Sequence, residues 1–151
     1  MIRIPPDAQI RSTIRPGSVF YFVEETLHST KPHFFIVVNP EPLTDRVVIL
    51  ACSSSQIRKV QKRRRTCPPA SLVSITPAEY PDFSVDSIID CNFVLEKTIE
   101  QLVEKLSQRK LRMKTQMAAP LVERLRAGIL QSPVIERRIK KVLRQERQEG
   151  K

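Results

Sequence analysis

Lys31 and His33 open one apolar run of this chain, and Ser53, Ser54 and Ser55 close the next. An ammonium group stabilises negative charge developing on a reacting phosphate. An imidazole takes up and releases protons near neutral pH, and a serine hydroxyl can hold a phosphate oxygen. Together these groups could stabilise charge, move a proton and hold a substrate oxygen at one site. The runs that must position them read Lys31-Pro-His-Phe-Phe-Ile-Val-Val38 and Val47-Val-Ile-Leu-Ala-Cys-Ser-Ser-Ser-Gln-Ile57. The eight residues from Asn39 to Arg46 join them, short enough for an antiparallel pair. In such a pair the start of the first strand lies beside the end of the second, which gathers Lys31, His33 and Ser53 at one end of a sheet. Lys31 and His33 share a face only if Pro32 leaves the alternation intact.

Around this pair the chain reads as strands first and helices after. Arg15-Pro16-Gly17 is a turn signal, and Ser18 to Val23 is a β-branched and aromatic run. Glu24 to Lys31 is a polar loop, with Glu24 and Glu25 expected in solvent. Arg58 to Pro69 reads as an exposed loop, and Ser71–Ile75 and Ser84–Asn92 as further strands. Asp82, Asp86 and Asp90 fall at i, i+4 and i+8, and sheet-surface positions suit them better than a metal site. Five strands within about 90 residues, with no early helix, predict a mainly β fold: a small antiparallel barrel or strongly bent sheet. The remainder reads as helices. Thr98-Ile-Glu-Gln101 has the form of a capping box. Pro120 fits the first turn of a helix with Leu121, Val122, Leu125 and Ile129 on one face. Ser132-Pro133 repeats the start signal before Ile135, Ile139, Val142 and Leu143, and the tail from Gln145 to Lys151 is expected to fray. The division expected is a β domain over residues 1–95 and a basic helical extension over 96–151, packed on it.

The net charge of +10 is unevenly placed. Residues 1–57 are neutral, with five cations and five anions, whereas residues 58–65 hold six cations and no anion. Residues 66–106 carry seven carboxylates against Lys97 and Lys105, and the two segments beyond are basic again. Clustered cations release counterions from a phosphate backbone, so Arg58, Lys59, Lys62, Arg63, Arg64 and Arg65, with Ser54 beside them, are candidate contacts to RNA or DNA. Membrane surfaces and acidic partners attract the same cluster.

Several classes are disfavoured. Three glycines leave no Gly-rich phosphate loop, and two histidines, His28 and His33, make a multi-His metal site improbable. No metal or other cofactor is called for. Cys52, Cys67 and Cys91 lack C-x-x-C spacing, which fits a reducing cytoplasm, and Cys52 and Cys91 read as small core hydrophobes. The first residues, Met-Ile-Arg-Ile-Pro-Pro-Asp, lack the apolar stretch of a signal peptide, and no apolar run approaches a membrane span.

The order Pro-Gly-Ser-Val-Phe-Tyr-Phe, loop, Lys-Pro-His-Phe-Phe-Ile-Val-Val, turn, Val-Val-Ile-Leu-Ala-Cys-Ser-Ser resembles the PemK/MazF-like toxins. It covers residues 15–57 well and residues 71–92 loosely. The resemblance implies an SH3-like antiparallel barrel, commonly a homodimer, cleaving single-stranded RNA and restrained by a small antitoxin protein. It places Lys31 where the family carries a catalytic arginine, Ser53 at its catalytic threonine or serine, and Gly17 at the turn glycine that opens the barrel. His33 would assist. Lysine in place of arginine keeps the charge but loses the planar fork that suits phosphate oxygens. The loop before it also lacks the family's glycines. A catalytically inactive barrel that binds nucleic acid or a protein partner is the alternative.

Overall fold

A computed structural model describes residues 3–144. Helix α1 (Pro6–Arg11) leads into β1 (Val19–Phe22) and β2 (His33–Val37). A short helical turn, α2 (Pro42–Asp45), precedes β3 (Val48–Ser54) and α3 (Ile57–Arg63). Then follow β4 (Leu72–Ile75), β5 (Ser87–Lys97), α4 (Ile99–Ser107), β6 (Leu111–Lys114), α5 (Ala119–Gln131) and α6 (Arg137–Arg144). The strands form one antiparallel sheet in the order β4-β5-β3-β2-β1-β6.

Helices cover both faces of this sheet, which is why the central strands are apolar on both sides. On one face Val19, Ile36, Ile49 and Ala51 pack against Leu125 and Ile129 of α5 and Ile139 and Leu143 of α6. On the other, Phe20, Phe35, Val37 and Leu50 pack against Ile10 of α1 and Leu102 of α4. The capping box at Thr98 forms as expected: Gln101 N–H donates to Thr98 Oγ1 at 3.0 Å, and Thr98 N–H donates to Gln101 Oε1 at 2.8 Å. Pro120 sits in the first turn of α5. A fork from Arg138 to both oxygens of Glu96, each at 2.8 Å, ties α6 to β5.

The turn before β1 depends on Gly17, whose φ is +94°. Its N–H donates to Val37 O, and its own carbonyl accepts from Met117 N–H, both at 2.8 Å. A Cβ there would stand 2.4 Å from Gln116 Nε2 and 2.7 Å from Met117 O. Gly17 therefore lets the chain join β2 and the lead-in to α5 at one point.

Two contacts show how far the sheet curls. Glu24 follows the end of β1, and Lys97 ends β5 beside Val48, at the start of β3. In a flat sheet β3 alone would separate those ends by about 20 Å, yet Lys97 Nζ lies 2.9 Å from Glu24 Oε1. On the opposite face the segment between β4 and β5 reaches under the end of β6. Tyr80 Oη donates to Thr115 O and Thr115 N–H donates to Asp82, both at 2.7 Å.

Six expectations change. An early helix is present after all: Pro6 starts α1 in its first turn, and the buried Ile10 anchors it ahead of β1. Ile57, read as the end of a strand run, and Arg58–Arg63, read as loop, form helix α3, anchored by the buried Val60. The region read as purely helical also supplies β6, which pairs with β1 from Val19 opposite Lys114 to Phe22 opposite Leu111. Helix α6 begins at Arg137 rather than at Pro133, because Ser132 Oγ accepts Val134 N–H and holds a bend there. Glu24 is buried rather than solvated, and Asp90 is buried rather than on the sheet surface. The tail from Gln145 to Lys151 lies outside the described residues. Among the described residues no helix is long and apolar enough to cross a membrane.

Candidate nucleic-acid interface and adjoining polar site

β2 and β3 pair antiparallel with Phe35 opposite Cys52 and Val37 opposite Leu50. Continued outward, that register sets His33 beside Ser54, so the expected end-to-end meeting of the two strands is real. Their faces differ from expectation. Ser53 follows Ile49 and Ala51 in alternation, onto the α5 face, and is 4% exposed. His33 shares the face of Phe35, whose ring centroid lies 6.4 Å away, and Ser54 shares the face of Cys52. Ser54, not Ser53, is thus the hydroxyl on the imidazole's side. Its Oγ accepts Gln56 N–H at 3.1 Å at the entry to α3.

Lys31 lies outside β2, on an exposed bend where its N–H donates to Ser29 Oγ at 3.1 Å. Its ammonium makes no ion pair among the described residues and is open to an anion. His33 is half-buried and its Nδ1 is enclosed without a hydrogen-bond partner. Burial pushes its pKa below the ordinary histidine value, with the nearby backbone of Lys31 acting weakly the other way. The ring is therefore neutral at pH 7 and able to accept a proton.

Helix α3 leaves the end of β3 after only Ser55 and Gln56. Its side chains and the turn after it line a hollow of about 430 Å³ formed by Lys59, Lys62, Arg63, Arg65 and Thr66. No carboxylate lines it, and all five residues are exposed. Arg58 is exposed on the first turn of the same helix.

Arg64 has a different role. Its Nε donates to Asp90 Oδ2 at 2.9 Å, while Arg63 stands 3.6 Å from the same oxygen. Asp90 sits where β5 bulges: the β3–β5 register steps from Ala51 opposite Val94 to Ser53 opposite Ile89. The bulge turns the carboxylate inward, where its Oδ1 accepts Asn92 N–H at 3.0 Å and Asn92 Nδ2–H at 3.1 Å. Asn92 Nδ2 also donates to Ser71 Oγ at 2.9 Å, and Ser71 Oγ donates to Pro68 O at 2.6 Å. This chain of bonds fastens the C-terminal end of α3 and the connection from it to β4 onto β5. Burial, helped by the nearby Asp90 charge, pushes the Cys52 and Cys91 thiols up to about 12, so both are inert core groups at neutral pH. Among the described residues no group of three or more His, Cys, Asp or Glu side chains is placed to hold a metal ion.

The remaining polar feature at this end is Glu24. Its Oε2 accepts from Thr26 Oγ1 at 2.7 Å, while Oε1 meets Lys97 at an angle poor for a hydrogen bond. Charge attraction rather than a directed bond holds the ion pair. Burial pushes the carboxyl up, but Lys97 and Thr26 more than reverse this, leaving it below the usual carboxylate range. The pair pins the start of the loop that leads to Lys31. Neither Asp90 nor Glu24 was legible as a site residue; a bulge and a curled sheet leave no spacing signal.

The fold and this site define an α+β protein with a six-stranded antiparallel sheet and a cationic helix at one end of its central strands. No protein-family model and no curated protein matches the chain.

Proposed function

We propose that this chain binds single-stranded RNA along α3 and cleaves it at the adjoining end of β2 and β3, as a PemK/MazF-like endoribonuclease on an SH3-like barrel. The observation that carries the reading is the carboxylate-free cationic hollow two residues beyond the strand end that holds His33 and Ser54. Lys59, Lys62, Arg63 and Arg65 would hold successive phosphates. Neutral His33 would take the 2′-hydroxyl proton as the 2′-oxygen attacks phosphorus. The Lys31 ammonium would stabilise the phosphorane, and the 5′-oxygen would leave with a proton from Lys31 or water, giving a 2′,3′-cyclic phosphate and a 5′-hydroxyl. The resemblance extends the proposal to a homodimer, a small antitoxin partner and a cytoplasmic setting.

A second reading rests on the placement of Ser53. The hydroxyl at the family's catalytic position is buried and faces away from His33. That favours an inactive relative, which binds nucleic acid or a protein partner without cutting.

The deciding experiment incubates the purified chain with mixed-sequence single-stranded RNA in chelator and follows both binding and fragment ends. The nuclease reading expects cyclic phosphate ends that disappear with Lys31→Ala while binding persists. Replacing Lys59, Lys62 and Arg65 with serine should weaken binding and reduce its log–log salt slope by roughly 0.7 for each phosphate no longer neutralised. RNA bound but left intact supports the inactive reading. RNA neither bound nor cut removes both RNA roles.

A further inference from the structure

We infer that the outer edge of β6 is a docking site for an acidic strand from a partner polypeptide, one that alternates acidic and apolar residues. β6 ends the sheet, and among the described residues its only strand partner is β1. An edge strand presents backbone donors and acceptors that another strand can complete. The open edge runs over Leu111–Lys114, because Thr115 beyond it is already bonded by Tyr80 and Asp82.

The side chains along this edge define the occupant. From Arg109 to Lys114 the sequence holds four cations and no carboxylate. Leu111 joins the core beside α4, and Met113 on the same side is 38% exposed. Arg112 and Lys114 alternate onto the other side, where Lys114 Nζ lies 5.2 Å from the Tyr21 ring centroid. Asp82 also faces Lys114, close enough for its charge to be felt. Beside Met113 a cavity of about 360 Å³ opens, lined by Ile14, Phe20, Ser18, Arg15 and Gln116 among others, again with no carboxylate. A strand added here would send alternate side chains to opposite faces. One set would meet Met113 and the cavity, and the other would meet Arg112 and Lys114.

Charge selects among possible occupants. A second copy of this chain carries the same +10 and the same basic edge, so self-pairing is repelled. RNA satisfies the cations but offers no peptide ladder to the open backbone edge, and nothing for Met113. An acidic, alternating strand satisfies all three.

The test is an NMR titration of the full chain with a blocked peptide of about ten residues alternating glutamate and valine, near the upper length of a common strand. The expected result is amide shifts and slowed hydrogen exchange confined to Leu111–Lys114 and the residues lining the cavity. A peptide N-methylated at alternate residues keeps its charge but cannot form the ladder, and should bind at least about tenfold more weakly. Arg112→Glu with Lys114→Glu should weaken the unmodified peptide by a similar factor, about tenfold, with the fold confirmed by an unchanged amide spectrum elsewhere. Equal binding of the N-methylated peptide, shifts confined to α3, no binding at all, or β6 shifts produced by single-stranded RNA instead would each overturn the inference.

Discussion

Separating Glu24 from Lys97 tests whether the sheet is curled in solution as it is here. The side chains are 2% and 15% exposed, and Nζ lies 2.9 Å from Oε1. With an effective dielectric of about 20, unit charges 3–4 Å apart attract by roughly 4–6 kcal/mol. Desolvation of both ions takes back much of that, so the intact pair contributes little net stability. Removing one partner is different, because the other stays buried and uncompensated, at a cost of about 3–5 kcal/mol. The two single changes should not be equal. Glu24→Gln keeps the shape and the Thr26 contact, and Lys97 is the more exposed partner, so its loss should lie near 1–3 kcal/mol, about that of a charged hydrogen bond. Lys97→Met strands a carboxylate with almost no access to water, and should reach the full 3–5 kcal/mol, a fall in Tm of roughly 6–20 °C for a chain of this size. Combining the changes should recover most of the loss. The pH dependence should also reverse. In the native protein Glu24 has a lowered pKa, so its contribution is present above its unfolded value and is lost as pH falls. In Lys97→Met only Thr26 still opposes burial, so that pKa should rise from its native position, and the penalty should be largest at pH 7 and relieved on acidification. Urea unfolding of the four proteins at neutral and mildly acidic pH gives the cycle. Two additive losses, each below about 1 kcal/mol, would refute the pairing and with it the closure of the sheet at that corner.

Three further outcomes are expected. His33 has a lowered pKa in the fold, so the unfolded chain binds the extra proton first; stability should fall as pH drops from about 6.5 through the folded value, and His33→Gln should flatten urea-unfolding free energies across that window. Gly17→Ala places a Cβ against Gln116 and Met117 at positive φ, and calorimetry should register a loss of about 1–3 kcal/mol or more. Asp90→Asn keeps the outline but removes the charge on which Arg64 and Asn92 converge; it should cost about 1.5–3 kcal/mol in denaturant and increase hydrogen exchange in α3, whereas Arg63→Ala should cost little.

Much of the sheet was readable because β1, β2 and β3 are dense in aromatic and β-branched residues, and no other local structure suits such runs. The same density hid the facing of the site. With Leu50 and Ala51 both buried, β3 shows no apolar–polar alternation from which to tell that Ser53 and His33 point apart. Helix α3 was missed because six of the eight residues from Arg58 to Arg65 are cations, leaving only Ile57 and Val60 to mark an apolar face. β6 was missed because Leu-Arg-Met-Lys is too short to show a period; pairing with β1 makes it a strand. Asp90 was read as a surface carboxylate because no spacing rule foretells the bulge that turns it inward.

The pairing of β6 with β1 has a consequence for the order of events during synthesis. Strand β1 is made before β6, and its outer neighbour follows about 90 residues later. At translation rates of roughly 5–20 residues per second, that edge waits on the order of 5–20 s for its partner. During the interval Phe20 and Phe22 lie beside an unpaired backbone edge, open to other nascent chains. Yield in the cell should therefore depend on how quickly residues 111–114 arrive, and slowing elongation between α4 and β6 should divert chains into aggregates while leaving the stability of the finished protein unchanged.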